Sequence, residues 1–503
     1  MLAAGSPAPG LLVAGTSSDA GKSLITTGLC RALHRRGVAV APFKAQNMSN
    51  NSMVCLDGAE IGRAQYLQAQ AAGVSADSAM NPVLLKPGSD RRAHVVLRGR
   101  PAGTLEAGQY ATGRRVLADA AFAAFEDLTR RFDVVICEGA GSPAEINLRA
   151  GDYVNLGLAR RFDLPVVLVG DIDKGGVLAA IFGTAGILEP ADRAQLRSYV
   201  INKFRGDPEV LTPGLSELSA RTGLPCAGVI PWLEGVWLDT EDTLEIGRWT
   251  SDSRSAGTGV LQVAVVRLPR VSNVTDVDAL AAEPGVDVRV TVDPGVVADA
   301  DLVVLPGSRA TLSDLTWLRE RGLAAAIIAR AGRDAPVLGI CGGYQMLAGP
   351  IDDGGVEGGA SASGRAPQAG TAAGLGLLPV RVDFHADKTL ARPTGAWRGS
   401  GVTAYEIHHG RAARTSADGE DFLDGVRLGA VWGTMWHGTL ENDDFRRAWL
   451  AEVAMTVGSG WRPHSDAPSF AARRETMIDT LADAVEDHLD LDLVLAGTRG
   501  ARP

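Results

Sequence analysis

No two cysteines of the 503-residue sequence form a C-x-x-C pair, and none of the five (Cys30, Cys55, Cys137, Cys226, Cys341) has metal-ligand spacing. That excludes a disulfide scaffold or a zinc ribbon and points to a reducing compartment. A basic surplus is missing as well. The net charge of −10 argues against nucleic acid as the main ligand and leaves any anionic substrate to local basic groups rather than to a global field. No apolar run is long enough to span a bilayer, and no basic-then-apolar leader pattern opens the sequence, so the expectation is a cytoplasmic protein with no membrane partner. Internal repeats are absent. What remains is an ordinary globular composition, 46% hydrophobic and 21% charged, in a chain too long for one core. Its 61 glycines fit an α/β protein rich in tight strand-to-helix turns.

The chain reads as two doubly wound α/β domains. Short apolar runs at 11–14, 134–137, 166–169 and 199–202 alternate with amphipathic helical patterns, and each run is followed by a glycine-containing turn. A polar stretch at 250–259 then interrupts the alternation, and it restarts at 261–266, 302–305, 337–340 and 430–434. The expected organisation is therefore a first domain over 1–249, a linker over 250–259 and a second domain over 260–503. Residues 354–374, rich in Gly, Ala and Ser, read as a disordered surface insertion. The helical apolar spacing of 470–491 is expected to pack on the second domain.

In the first domain, Gly15, Thr16, Gly21, Lys22 and Ser23 follow a strand pattern and open a helix, the context of a phosphate-binding loop. Backbone N–H groups there cradle phosphates, Lys22 reaches the β and γ phosphates of ATP, and the Ser23 hydroxyl can ligate Mg²⁺. Thr16 stands where the generic pattern has its first glycine. Glu138, at the carboxyl end of the 134–137 run, can hold the same Mg²⁺, although an acid on a glycine loop can also be simply solvated. Asn202 ends another strand pattern. Its amide can pair with the adenine edge or serve as a turn former. Asp171, Asp173 and Lys174 suit either a ligand role or a self-neutralising loop. The amide-dense residues 44–51 suit recognition of a polar ligand or a plain loop, and Lys86, Arg91, Arg92 and Arg98 bracket a hairpin that can answer an anion or form a solvated edge.

In the second domain, Gly339, Cys341 and Gly343 form G-x-C-x-G after a buried-strand pattern, a nucleophile elbow with cysteine in place of serine. The Gly342 N–H and the helix that starts there favour thiolate and a developing oxyanion, and Gly307, after the 302–305 run, can supply a second N–H. A free cysteine on a tight turn can also be only a small buried hydrophobe. An acyl-transfer cysteine needs a base, and the candidates among eight histidines are His437, His408 and His409. His437 has the better context, at a strand end beside Gly438.

Residues 15–23, 44–51, 60–65, 80–86, 138–141, 170–176, 202–206, 305–308, 339–343, 405–408 and 437–438 occur in an order that resembles the cobyric acid synthase family over nearly the whole chain. The resemblance implies a dethiobiotin-synthetase-like ATP domain fused to a class I glutamine amidotransferase domain, with Cys341 as nucleophile and His437 as base. It further implies glutamine and ATP as co-substrates and a corrinoid, adenosylcobyrinic acid a,c-diamide, amidated at its b, d, e and g carboxylates. Many class I amidotransferases carry Glu two residues after the histidine. Thr439 stands there and Glu441 comes two later, so a Cys–His dyad with another orienting group is expected, with Glu406 as an orienter or a substrate contact. The sibling cobyrinic acid a,c-diamide synthase, and a regulatory P-loop ATPase with an inactive glutaminase domain, are the competing readings.

Overall fold

The computed structural model describes residues 8–89, 92–106, 110–236, 259–357 and 371–499. Most of the 250–259 linker, Arg91 and residues 358–370 of the expected insertion lie outside them.

The first domain is built on six parallel strands in the spatial order Cys226–Pro231, Leu196–Phe204, Val166–Asp171, Gly10–Gly15, Val134–Glu138, Val40–Phe43. The central strands Gly10–Gly15, Val134–Glu138 and Val166–Asp171 are buried at every position. That is why they read as unbroken apolar runs rather than alternating ones. Consecutive strands fall on both sides of Gly10–Gly15, so the sheet changes direction there, and its carboxyl edge forms the crevice where ligands of such sheets bind. The hairpin bracketed by basic residues is present as Val83–Ser89 and Arg92–Leu97, extended by Arg100–Glu106 and by Gln46–Met48 into a small four-stranded sheet.

The second domain has a seven-stranded sheet in the order Val286–Thr291, Leu261–Val266, Leu302–Leu305, Val337–Ile340, Val431–Thr434, Gly425–Leu428, Glu420–Phe422. The first five are parallel and the last two add antiparallel. The carboxyl ends of Leu302–Leu305, Val337–Ile340 and Val431–Thr434 are thus side by side.

Two expectations need correction. The run 354–374 is not wholly a surface insertion, because Thr371–Ala373 is a strand paired antiparallel with Pro350–Asp352. The helix Phe470–His488 keeps Phe470 in the core of the second domain, but its Met477, Ile478 and Val485 join Ile25, Leu29 and Leu33 of the helix Lys22–Arg35 in the core of the first. Burying each of those side chains is worth about 1.5–3 kcal/mol. The more exposed pairs alongside, Arg31 to Glu475 and Asp479 and Arg35 to Asp483, contribute at most ~1 kcal/mol each. The apolar stripe therefore decides the docking. A stripe in the sequence shows that a helix has a buried face and says nothing of which domain covers it.

Candidate active sites at two sheet edges

At the carboxyl edge of the first sheet, Gly21 has φ +98°, and a Cβ there would lie 1.9 Å from Nδ2 of Asn202, so only glycine closes the loop over this strand end. Asn202 is fully buried and donates from Nδ2 to the Ala20 carbonyl at 3.0 Å, which braces the loop from behind. Among the described residues its Oδ1 has no hydrogen-bond partner. The Thr16 N–H is tied to the Val169 carbonyl at 2.9 Å. Lys22 opens the helix with Nζ on the carbonyls of Ser17 (2.9 Å) and Gly141 (3.2 Å), curled against the loop whose phosphates it would meet.

Glu138 is the last residue of its strand and is 1% exposed. Its Oε1 accepts from Ser23 Oγ at 2.8 Å and from Lys44 Nζ at 2.9 Å, and its Oε2 accepts from Gln68 Nε2 at 2.6 Å. Burial alone would protonate this carboxyl, but Lys44 and the three hydrogen bonds outweigh it and hold the pKa below the ordinary value. Two hard oxygens, Ser23 Oγ and an ionised Glu138, face each other at the helix start, a donor pair that fits Mg²⁺ with phosphate and water completing its shell. Among the described residues no group of three or more His, Cys, Asp or Glu could hold a metal alone.

Other basic and acidic candidates are engaged. Lys86 is buried on Glu60 at 2.6 Å, and Lys388 of the second domain takes the other Glu60 oxygen at 2.5 Å. Arg98 Nε donates to Ser78 Oγ. Asp171 accepts from Lys203 at 2.9 Å, Asp173 lies 3.6 Å from Arg205 and Lys174 lies 3.9 Å from Asp19, so the charges of this run are met by neighbouring segments rather than by one another.

The second site lies at the carboxyl edge of the other sheet. Cys341 has φ 50°, ψ −109°, the strained turn of an elbow, with its N–H on the Thr434 carbonyl at 2.7 Å and the helix Gly342–Leu347 starting directly after it. The turn passes so close to the neighbouring strand that a Cβ on Gly343 would lie 1.8 Å from the Leu305 carbonyl oxygen. Gly342 abuts the Ser308 N–H, and the Cα of Gly307 faces Cε1 of His437. Cys341, Gly342, Gly307 and His437 are therefore brought together from three adjacent strand ends. The loop after Leu302–Leu305 is pinned by Ser308 Oγ donating to Asp314 at 2.6 Å and by the Ser272 N–H on the Gly307 carbonyl at 2.9 Å.

The sequence reading missed the group that orients His437. Nδ1 of His437 meets Oδ2 of Asp276 at 2.6 Å, and the other carboxylate oxygen accepts the Gly438 N–H at 2.8 Å. The expected dyad is a Cys341–His437–Asp276 arrangement. Asp276 stands in the short helix Val274–Val277, in the loop that follows the first strand of the second sheet. Glu138 is the last residue of its strand, whereas Asp276 lies well beyond the end of Leu261–Val266, so strand-end position does not pick it out. Glu406 instead lies 3.5 Å from His408, and Glu441, two residues beyond Thr439, pairs with Arg63 at 2.6 Å and Arg474 at 3.0 Å. His409 contacts the His385 carbonyl. Burial acts against a charged His437, but Asp276 and the Cys341 sulfur outweigh it and raise its pKa to about 10. Among the described residues Nε2 meets no hydrogen-bond partner, and Cys341 acts on the imidazole as a close neighbour, as in catalytic pairs that tighten only with substrate. The Tyr405 ring stacks on the imidazole at 5.2 Å.

Residues 11–244 match the CobQ/CobB/MinD/ParA nucleotide binding domain and residues 262–445 the CobB/CobQ-like glutamine amidotransferase domain. The chain is 62% identical to a cobyric acid synthase of Cutibacterium acnes, over 97% of this chain and 99% of that one. It is 57% identical to one of Mycolicibacterium gilvum (97% and 96%) and 56% identical to one of Mycolicibacterium vanbaalenii (98% and 97%). With both domains matched and near-complete coverage at this identity, the chain belongs to the cobyric acid synthase family, a glutamine-dependent amide-forming ligase.

Proposed function

We propose that the two sheet edges divide one reaction. At the second, Cys341 attacks the glutamine carboxamide, and His437, held by Asp276, passes a proton to the departing ammonia. Water then hydrolyses the thioester to glutamate. The Gly342 and Gly307 N–H groups receive the oxyanion, each such donor being worth on the order of 3 kcal/mol of barrier. At the first, a side-chain carboxylate of adenosylcobyrinic acid a,c-diamide takes the γ-phosphoryl group of ATP, and ammonia displaces phosphate to leave the amide. Activation is needed because a carboxylate repels nucleophiles and its oxygen leaves badly. Lys22 and the loop from Thr16 to Ser23 hold the phosphates, and Asn202 backs the loop while its free Oδ1 offers the adenine edge an acceptor. Ser23 and Glu138 would hold Mg²⁺, which supplies charge neutralisation to the phosphates.

The observation that carries this reading is the coexistence of an ionised Glu138 beside the phosphate loop with a Cys–His–Asp set in the other domain. Glutamine, ATP and the corrinoid are its substrates and the cytoplasm is its place. No helix among the described residues is long and apolar enough to cross a membrane. Supplying the a,c-diamide, ATP and glutamine and following product mass tests it. Four successive amidations, each consuming one ATP and one glutamine, are expected at b, d, e and g. Conversion of unamidated cobyrinic acid at two positions only, with no action on the a,c-diamide, would transfer the assignment to the sibling synthase.

A further inference from the structure

The imidazole of His437 is gripped on two sides, and both grips lead into the other domain. Along its edge it meets Asp276, whose own N–H is bonded to the Asn273 carbonyl at 3.0 Å. Asn273 starts this short helix in the left-handed conformation, φ 51°, which asparagine tolerates better than most residues. Its side-chain Oδ1 accepts the N–H of Ser52 at 2.8 Å, while Oδ1 of Asn51 accepts the N–H of Val274 at 3.2 Å. The two bonds run in opposite directions between the domains and form a reciprocal clasp, with Asn51, Ser52 and Asn273 all buried. On its face the imidazole is stacked by Tyr405, whose backbone exchanges two hydrogen bonds with His437 (2.9 and 3.1 Å). Tyr405 in turn packs in a small apolar cluster with Val54 and Ile407. Asn51, Ser52 and Val54 belong to one short segment of the synthetase domain, at the strand Ser52–Val54.

We propose that this segment of the synthetase domain is a positioning element of the glutaminase site, with Asn51 and Asn273 as the residues that set Asp276, and through it His437, in register with Cys341. The proposal rests on the two-site reading above. The clasp fixes the first turn of the short helix, and a carboxylate that must meet Nδ1 at 2.6 Å loses that geometry if the turn rotates by a fraction of an ångström. Neither asparagine touches glutamine or ATP in this account, so each acts through Asp276. The arrangement also explains why a glutaminase assembled from three strand ends borrows its last constraint from outside its own fold. Imidazole orientation is completed by docking of the two domains, and the isolated second domain would hold its carboxylate more loosely.

The test uses the full chain and two substitutions at one position. Asn273→Gly keeps the left-handed turn and removes the clasp acceptor, and Asn273→Asp keeps both. For Asn273→Gly, kcat for glutamate release is expected to fall about tenfold, the order seen when an outer hydrogen-bond partner of a functional histidine is lost, with KM for glutamine within about twofold. Asn273→Asp should restore most of that kcat, and ammonium-dependent amidation should be unchanged in both. Asn51→Ala, which breaks the clasp from the other domain, should lower glutaminase kcat in the same way. A kcat within twofold of the parent in both Asn273→Gly and Asn51→Ala overturns the proposal. So does a parallel loss of ammonium-dependent amidation, which would mark a general loss of docking. Cys341→Ser serves as the blank: glutaminase activity surviving in it would refute the two-site reading itself, whatever Asn273 does.

Discussion

The nucleotide site and the glutaminase site are built on the same plan, at the carboxyl edge of a parallel sheet, and each depends on a buried carboxylate. They differ in how the chain delivers the parts. The phosphate loop is one contiguous segment from Gly15 to Ser23 to which two distant residues, Glu138 and Asn202, are added. The glutaminase site gathers Cys341, His437, Gly307 and Asp276 from separate loops, with Asp276 and His437 161 residues apart. The carboxylates differ in partner as well. Glu138 is held below its ordinary pKa by the Lys44 ammonium and its hydrogen bonds, whereas Asp276 is paired with an imidazole that it holds protonated. A contiguous motif therefore announces itself in sequence, and an assembled one does not.

The largest expected effect falls on the contiguous site. Lys22→Ala should remove amidation with glutamine or ammonium alike, because the lysine stabilises charge on the transferring phosphoryl group, while glutamate release at the other site persists. Measuring both products in one sample checks this, and unchanged ammonium-dependent turnover would detach the loop from the reaction. Next comes His437→Ala, expected to slow glutamine hydrolysis by roughly 10²–10⁴ and to spare ammonium-dependent amidation. His408→Ala and His409→Ala should each have far smaller effects. A larger loss from His408→Ala in a folded protein would assign the base wrongly.

Asp276→Asn sharpens the contrast between the two carboxylates. We expect glutaminase kcat to fall roughly ten- to a hundredfold. Without the carboxylate the His437 pKa should drop from about 10 toward the ordinary imidazole value, so the alkaline limb of the glutaminase pH profile should move to lower pH. An alkaline limb that stays in place would show that Asp276 does not hold the imidazolium. The matching experiment at the first site is Lys44→Met, which strands a buried Glu138 without its cation and should cost about 3 kcal/mol in a denaturant titration. Adding Glu138→Gln should recover stability without recovering amidation. The smallest effect belongs to the pairs that dock the C-terminal helix: Arg35→Ala should cost less than ~1 kcal/mol, since Asp479 and Asp483 remain solvated there.

These differences also explain what was legible in the sequence. Strands buried on both faces give apolar runs, and glycine turns follow them, so both sheets and the expected strands were readable from local pattern. The phosphate loop and the cysteine elbow were readable because backbone constraints force particular residues into adjacent positions. Asp276 was not, because nothing local distinguishes an aspartate that meets a histidine from one that meets water. The pairing is made by register between strands far apart in the chain. The docking of Phe470–His488 on the first domain was hidden for a related reason: amphipathicity gives the buried face and not its partner. The basic residues of the hairpin looked free to meet an anion, yet Lys86 is spent on Glu60, a carboxylate whose burial no sequence window shows.

On the proposed reaction, one chain holds two chemistries, and ammonia is the only reactant passed from one to the other. Cys341→Ala tests it most directly, with the a,c-diamide and ATP supplied and glutamine and ammonium compared as nitrogen donors. Amidation with glutamine should fall by roughly 10⁴-fold or more, the order of a lost nucleophile, while amidation with ammonium stays near the parent rate. Equal loss with both donors in a folded protein would contradict it.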